Sequence, residues 1–256
     1  MARTRVAAVT APRPTGDRLG LIYGSSLPEG HEPIEGERVV IEVEGPHPVE
    51  AIDGGDALAI ARHRFDRSVP AHLVDHRANI RAACELGCDR VLALGSAGSL
   101  DERLEVGTLI CPDDFYAPEI VPSFYDDPRG HSIPGFDPDW RKVILDAWRV
   151  RSETELVDGG VYAQTIGPRF ETLAEVRALA RVADVVGMTI AAETVLAGEA
   201  GLAYAAVCTI DNLANGVSNV PLTFEEYQRG RDRTAKTLSA ALESVLPALA
   251  TGAPHS

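Results

Sequence analysis

Arg62 and His63 stand side by side directly after an apolar run at 57–61, a guanidinium and an imidazole placed together. Two such donors hold an anion through charge-assisted hydrogen bonds, and the alternative reading is a solvated charged strand end. Gly24-Ser25-Ser26 follows another apolar run and offers backbone amides and hydroxyls that suit a phosphate, or simply a turn. Neither the G-x-G-x-x-G nor the P-loop pattern is present, so a dinucleotide or nucleoside triphosphate site is not supported. Gly95-Ser96-Ala97-Gly98-Ser99, after the run at 90–94, reads as a strand-end turn with amides open to an anion or a base. His72 and His76 are spaced i, i+4, but Leu73 stands where a zinc protease needs its glutamate. No metal is expected there, and the pair reads as lining for a polar pocket or as a cap on a helix start.

Further along, Gly167-Pro168-Arg169-Phe170-Glu171-Thr172 sets Glu171 one residue ahead of a helix start, where its carboxylate can accept from donors on a ring. Met188, the only methionine after Met1, precedes Thr189, and Glu193 lies in the helical segment beyond. A lone methionine is also ordinary core filler, and a first-turn glutamate an ordinary partner for the helix dipole. Asp211-Asn212 put a carboxylate and an amide after the run at 203–209.

Each of these groups needs an element to hold it. Apolar runs at 19–23, 39–43, 57–61, 90–94, 108–111, 161–164, 185–188 and 203–209 read as strands. Most are uninterrupted rather than alternating, the pattern of strands covered on both faces. Between them lie helical segments at 74–86, from Thr172 onward, at 191–200, and from Thr223 to near the end. The second and the last open with capping boxes, Thr172 with Glu175 and Thr223 with Glu226. The fold class expected is α/β, a single domain over 1–256 with a central mixed sheet flanked by helices, allowing disordered tails at 1–17 and 251–256. The stretch 112–138 is a proline-rich excursion of the irregular kind that carries function.

A net charge of -14 over 256 residues excludes a nucleic-acid backbone as the main partner. No run is long and apolar enough for a membrane span, and a cytoplasmic protein is expected. Cys84, Cys88, Cys111 and Cys208 fit reduced core positions. Only Lys142 and Lys236 are lysines, so positive charge is nearly all arginine, whose fork grips phosphates and carboxylates.

The ordered set G-P-R-F-E-T-x-A-E, then G-M-T and E-x-x-x-A, with Gly24-Ser25, Arg62-His63, Ala78-Asn79 and Gly98-Ser99-Leu100, resembles the trimeric purine nucleoside phosphorylase and methylthioadenosine phosphorylase family. The likeness runs from Leu19 to the C-terminal helix. It implies a nucleoside phosphorylase fold, inorganic phosphate as co-substrate, no cofactor or metal, and a homotrimer. Carried over by that resemblance, Ser25, Arg62, His63, the Ala97 amide and Thr189 form the phosphate cradle. Met188 lies beneath the ribose, while Asn212 and Glu171 read the purine. His131, in the excursion, is the candidate for closing the 5′ pocket from a neighbouring subunit. Tyr23, Ser26, Gly95-Ser96, His76 and Ala192 depart from the usual residues, which leaves the 5′ substituent open.

The resulting expectation is phosphorolysis of inosine, guanosine or 5′-methylthioinosine, with inversion. An amide at Asn212 serves a 6-oxo group, and Glu171 accepts from the N1–H that 6-oxopurines carry and adenine lacks. The alternatives are a methylthioadenosine phosphorylase and a nucleoside-binding protein without turnover. A hydrolase is disfavoured because Arg62 and His63 would then be charged groups with no anion to meet.

Overall fold

The structure, a computed structural model, describes residues 11–251. Of the expected tails at 1–17 and 251–256, residues 1–10 and 252–256 lie outside the described residues. Within 11–17, Ala11 is buried and Thr15 Oγ1 donates to the Cys84 carbonyl at 3.1 Å.

The first half of the chain contributes β1 (Arg18–Tyr23), β2 (Glu37–Ile41), β3 (Val49–Asp53), β4 (Ala57–Ala61), α1 (His76–Glu85), β5 (Cys88–Ser99), β6 (Leu109–Cys111) and β7 (Asp114–Tyr116). The second contributes α2 (Pro138–Arg151), β8 (Leu156–Asp158), β9 (Val161–Gln164), α3 (Leu173–Leu179), β10 (Val185–Gly187), α4 (Ile190–Ala200), β11 (Ala203–Leu213) and α5 (Phe224–Thr251). The strands form one mixed sheet in the order β2-β3-β4-β1-β5-β10-β9-β7, with β11 pairing β5 and β6, and β8 beyond β6. β4, β1, β5 and β11 run parallel, so their carboxyl ends open on one edge, where open α/β sheets receive ligands.

Helices bury both faces, which is why these strands are apolar throughout. On one face Ile80, Ala83 and Cys84 of α1 share a core with Leu196 and Ala197 of α4. On the other, Trp140, Ile144 and Trp148 of α2 pack with Leu238, Leu242 and Val245 of α5. Burying a side chain of leucine size contributes roughly 1.5 to 3 kcal/mol, so these stripes hold the layers together.

Several elements differ from the sequence reading. β5 does not stop at Leu94 but continues through Ser99, so the Gly95 to Ser99 stretch is strand and not turn. The glycines there serve packing: a Cβ on Gly95 would lie 2.9 Å from Cys208 Sγ, and one on Gly98 would lie 3.0 Å from Asn212 Nδ2. α1 starts at His76 with Asp75 as its N-cap, while His72 lies in a separate 3-10 turn, Ala71–Leu73. The two histidines therefore do not share a helix face. α2 was missing from the sequence reading although Asp137 caps it and Pro138 opens it. β3, mostly buried, and the three-residue β7 and β8 are further strands.

Candidate active site

A cleft of about 420 Å³ opens at the carboxyl edge of the sheet. Ser25 follows β1, Arg62 and His63 follow β4, and Ala97 lies in β5. Met188 and Thr189 sit between β10 and α4, Thr189 being the N-cap of α4. Glu171 precedes the capped start of α3, and Asn212 lies near the end of β11. All of these residues line the same cleft. His131 does not: it is exposed, at the end of a 3-10 turn, Pro128–Gly130, with Nδ1 2.9 Å from the Pro128 carbonyl.

Arg62 is 4% exposed and held by a fork. Its Nε donates to Glu193 Oε1 at 2.5 Å, its Nη2 to Glu193 Oε2 at 2.9 Å, and its Nη1 to the Leu94 carbonyl at 2.7 Å. Tyr204 donates its hydroxyl to Glu193 Oε2 at 2.7 Å, and His76 Nδ1 lies 3.4 Å from Oε1. Burial alone would push the Glu193 carboxyl up, but the charge and hydrogen bonds of Arg62 outweigh it and hold it at about 2. Glu193 is thus the site residue that sequence reasoning missed. A carboxylate in the first turn of a helix as apolar as Ile190–Ala200 is buried with it and needs a buried cation, and that was the available signal.

The pairing leaves Arg62 with a second Nη1 N–H to offer. Gly24 gives access to it: a Cβ there would lie 3.2 Å from Arg62 Nη1 and 2.7 Å from His63 Cδ2. His63 Nδ1 lies 2.8 Å from the Val69 carbonyl, which can only accept. Nδ1 therefore carries the hydrogen, and the neutral ring presents Nε2 as a lone pair. Burial, then the charge of Arg62, holds this imidazole down at about 4, so it is neutral at physiological pH. The sequence argument against a hydrolase is corrected accordingly, since Arg62 is already neutralised by Glu193 and His63 is uncharged.

The polar groups at the other end of the cleft are fixed locally. Glu171 Oε1 accepts from Thr165 Oγ1 at 2.7 Å, which leaves Oε2 for a further donor. The Glu171 carbonyl accepts from Asn215 Nδ2 at 3.1 Å. Gly167, at φ +69°, packs against Met188, where a Cβ would lie 2.5 Å from Sδ.

Asn212 reaches the cleft because β11 carries a bulge. Ile210 pairs with Ala97 and Asn212 with Gly98, so Asp211 is the extra residue. Asp211 does not line the cleft; its carboxylate accepts from the hydroxyls of Ser96, which does, and of Thr234. Burial pushes it up to about 6. Asn212 Nδ2 gives one hydrogen to the Leu213 carbonyl at 2.9 Å, leaving its second hydrogen and its carbonyl oxygen.

No group of three or more histidine, cysteine or acidic side chains positioned to hold a metal ion occurs among the described residues. No helix among them is long and apolar enough to cross a membrane.

The Phosphorylase superfamily profile matches residues 14–247. A probable 6-oxopurine nucleoside phosphorylase of Archaeoglobus fulgidus is 37% identical over 198 residues, covering 77% of this chain and 82% of the relative. A probable S-methyl-5'-thioinosine phosphorylase of Thermodesulfovibrio yellowstonii is 31% identical over 223 residues, covering 82% of each. Among solved structures, methylthioadenosine phosphorylase from Schistosoma mansoni in complex with adenine superposes with a TM-score of 0.73 at 23% identity, covering 90% of this chain and 91% of that one. With the profile spanning nearly the whole sheet and its helices, the chain belongs to the phosphorylase superfamily.

Proposed function

We propose that this protein cleaves 6-oxopurine nucleosides with inorganic phosphate, releasing the free base and a ribose 1-phosphate derivative with inverted configuration. The observation that carries the reading is the meeting, in one cleft, of an anion cradle with an amide and a carboxylate suited to a purine. The names of the relatives from Archaeoglobus fulgidus and Thermodesulfovibrio yellowstonii support it.

In this reading phosphate sits among Ser25, the free N–H of Arg62, His63, the Ala97 amide and Thr189. Phosphate is already an anionic nucleophile, so the site has to place it and not deprotonate it. Its oxygen bonds to the anomeric carbon from below while the bond from that carbon to the purine nitrogen breaks, and the electron pair leaves with the base. Met188 lines the face under the sugar. N7 of the departing purine takes a proton from water, and Asn212 accepts that N7–H with its carbonyl oxygen and gives its spare N–H to O6. Glu171 Oε2 accepts from N1–H, which adenine lacks.

The methylthioadenosine alternative wants an acceptor facing the 6-amino group. Asp211, the carboxylate beside Asn212, is 1% exposed and committed to Ser96 and Thr234, so the acceptor left there is the Asn212 carbonyl oxygen, which N7–H engages, and that disfavours the 6-amino reading. No cofactor or metal takes part. The working form is a cytoplasmic homotrimer in which His131 of a neighbouring copy closes the 5′ pocket, with no nucleic acid or membrane as partner.

The test is a panel of inosine, guanosine, adenosine and both 5′-methylthio nucleosides, assayed with and without phosphate. Hypoxanthine or guanine released only with phosphate, or with arsenate in its place, is the expected result. Release in phosphate-free buffer means hydrolysis, and no release at all means a binding protein.

A further inference from the structure

The cleft holds more positive charge than the phosphate reading uses. Arg67, in the loop after β4, and Arg231, on α5, both line it. Unlike Arg62, neither meets a buried carboxylate among its hydrogen-bond partners. Arg67 donates Nη2 to the Leu27 carbonyl at 2.6 Å. Arg231 hydrogen-bonds its chain neighbour Asp232, at 2.9 Å, whose side chain is 68% exposed and screened by water, and it feels the buried Asp211 carboxylate only through space. Burial, then the charge of Arg231, lowers the pKa of Arg67, whereas at Arg231 burial is outweighed by Asp232, Tyr227 and Asp211, which raise its pKa. Arg67 is also held at φ +54°, a left-handed conformation rare for a side chain of this kind. A strained backbone that holds a cation with only a carbonyl partner at the rim is tolerated where an anion arrives to pair with it.

The same rim is aromatic. Tyr227 packs against Phe170 at 5.6 Å and Phe224 at 6.1 Å between centroids, and the Arg231 guanidinium lies 5.9 Å from the Tyr227 ring. In the phosphorolysis reading phosphate takes the wall at Ser25, Arg62 and Thr189, and the base the wall at Glu171 and Asn212. The remaining wall, built by α5 and the loop carrying Arg67, is then the one left for the sugar's 5′ substituent.

Resting on the phosphorylase reading above, we propose that Arg67 and Arg231 form an anion subsite that takes a carboxylate carried on the nucleoside's 5′ substituent, its apolar spacer lying on Phe170, Phe224 and Tyr227. The substrate class is then a 6-oxopurine nucleoside with an acidic 5′ extension, which a reaction building on the sugar's 5′ carbon must supply.

The experiment compares inosine, 5′-deoxy-5′-(2-carboxyethylthio)inosine and the methyl ester of that acid, with hypoxanthine release measured at saturating phosphate. The acid should exceed the ester in kcat/KM by at least about tenfold, as a charge-assisted pair of contacts implies. Arg67→Met and Arg231→Met should each reduce that ratio, and the double variant should bring it near one, with Arg231→Lys retaining part of it. An acid-to-ester ratio of one or below, with inosine still cleaved, overturns the subsite and leaves the phosphorylase reading standing. A large rise in phosphate KM in either variant with the ratio unchanged assigns the guanidiniums to the co-substrate and also overturns it. No release from any of the three overturns both.

Discussion

Arg62 and Glu193, 131 positions apart in sequence, are joined by two hydrogen bonds with both side chains fully or nearly fully buried. β4 delivers one and the first turn of α4 the other, so the pair ties the strand edge to the helix beneath the cleft.

Glu193→Gln keeps the shape and removes the charge, leaving Arg62 an uncompensated buried cation. A loss of about 3 to 5 kcal/mol is expected, read from denaturant unfolding. Phosphate should then raise the melting temperature of the variant more than that of the wild type, because the anion takes over the neutralisation. An equal phosphate shift in both proteins would place the anion elsewhere. Arg62→Ala should raise the phosphate KM strongly, the loss corresponding to about 1.5 to 3 kcal/mol.

Gly24→Ala should weaken phosphate binding with little effect on folding. The added Cβ would meet the His63 ring edge at 2.7 Å and must displace it and the free end of Arg62. Phosphate KM should rise about tenfold or more, checked by steady-state kinetics beside a thermal melt. A large fall in melting temperature with normal KM would contradict this.

Two buried titrations of opposite sign act on stability. His63 sits at about 4 in the folded protein, below its ordinary value, so its contribution is present above about 6.5 and lost as the pH falls toward 4. Acidification from pH 7 to about 4.5 should cost the wild type roughly 2 to 3 kcal/mol more than it costs His63→Gln. The check is unfolding in urea at each pH.

Asp211 sits at about 6, above its ordinary value, so its contribution is full below about 4 and lost as the pH rises through 6. Asp211→Asn should gain up to roughly 3 kcal/mol relative to wild type on going from pH 4 to 8. An unchanged pH profile in this variant would mean that the carboxylate is solvated.

Base choice rests on Asn212 and Glu171 together. Inosine-type substrates should exceed adenosine-type ones by at least about tenfold in kcat/KM, since a buried acceptor without a donor loses about 1 to 3 kcal/mol. Asn212→Asp should narrow or reverse that ratio, because a carboxylate meets O6 acceptor to acceptor. Matched pairs with the same 5′ group provide the measurement.

The sequence made the strand ends legible because each chemistry-bearing group follows an apolar run. β4 and β9 coincide with their expected bounds, and the box at Thr172 and Glu175 forms as expected. The stretch from Gly95 to Ser99 did not read correctly, because its small residues answer to Cys208, Ile190 and Asn212, neighbours that only the tertiary structure supplies. α2 escaped because the proline-rich excursion runs into it, although Trp140, Ile144 and Trp148 recur at helical spacing. The Glu193 pairing escaped because its partner lies far away in sequence, and the dipole role was a sufficient local explanation.

The hydrogen on His63 Nδ1, fixed by the Val69 carbonyl, has a consequence for which oxyanions the cradle accepts. A lone pair at Nε2 repels an oxygen that brings no hydrogen and welcomes one that does. Phosphate and arsenate retain an acidic hydrogen at neutral pH, whereas sulfate is fully ionised. The cradle therefore sorts tetrahedral anions of similar size by whether they still carry a hydrogen, and sulfate should compete only at concentrations well above those at which arsenate does.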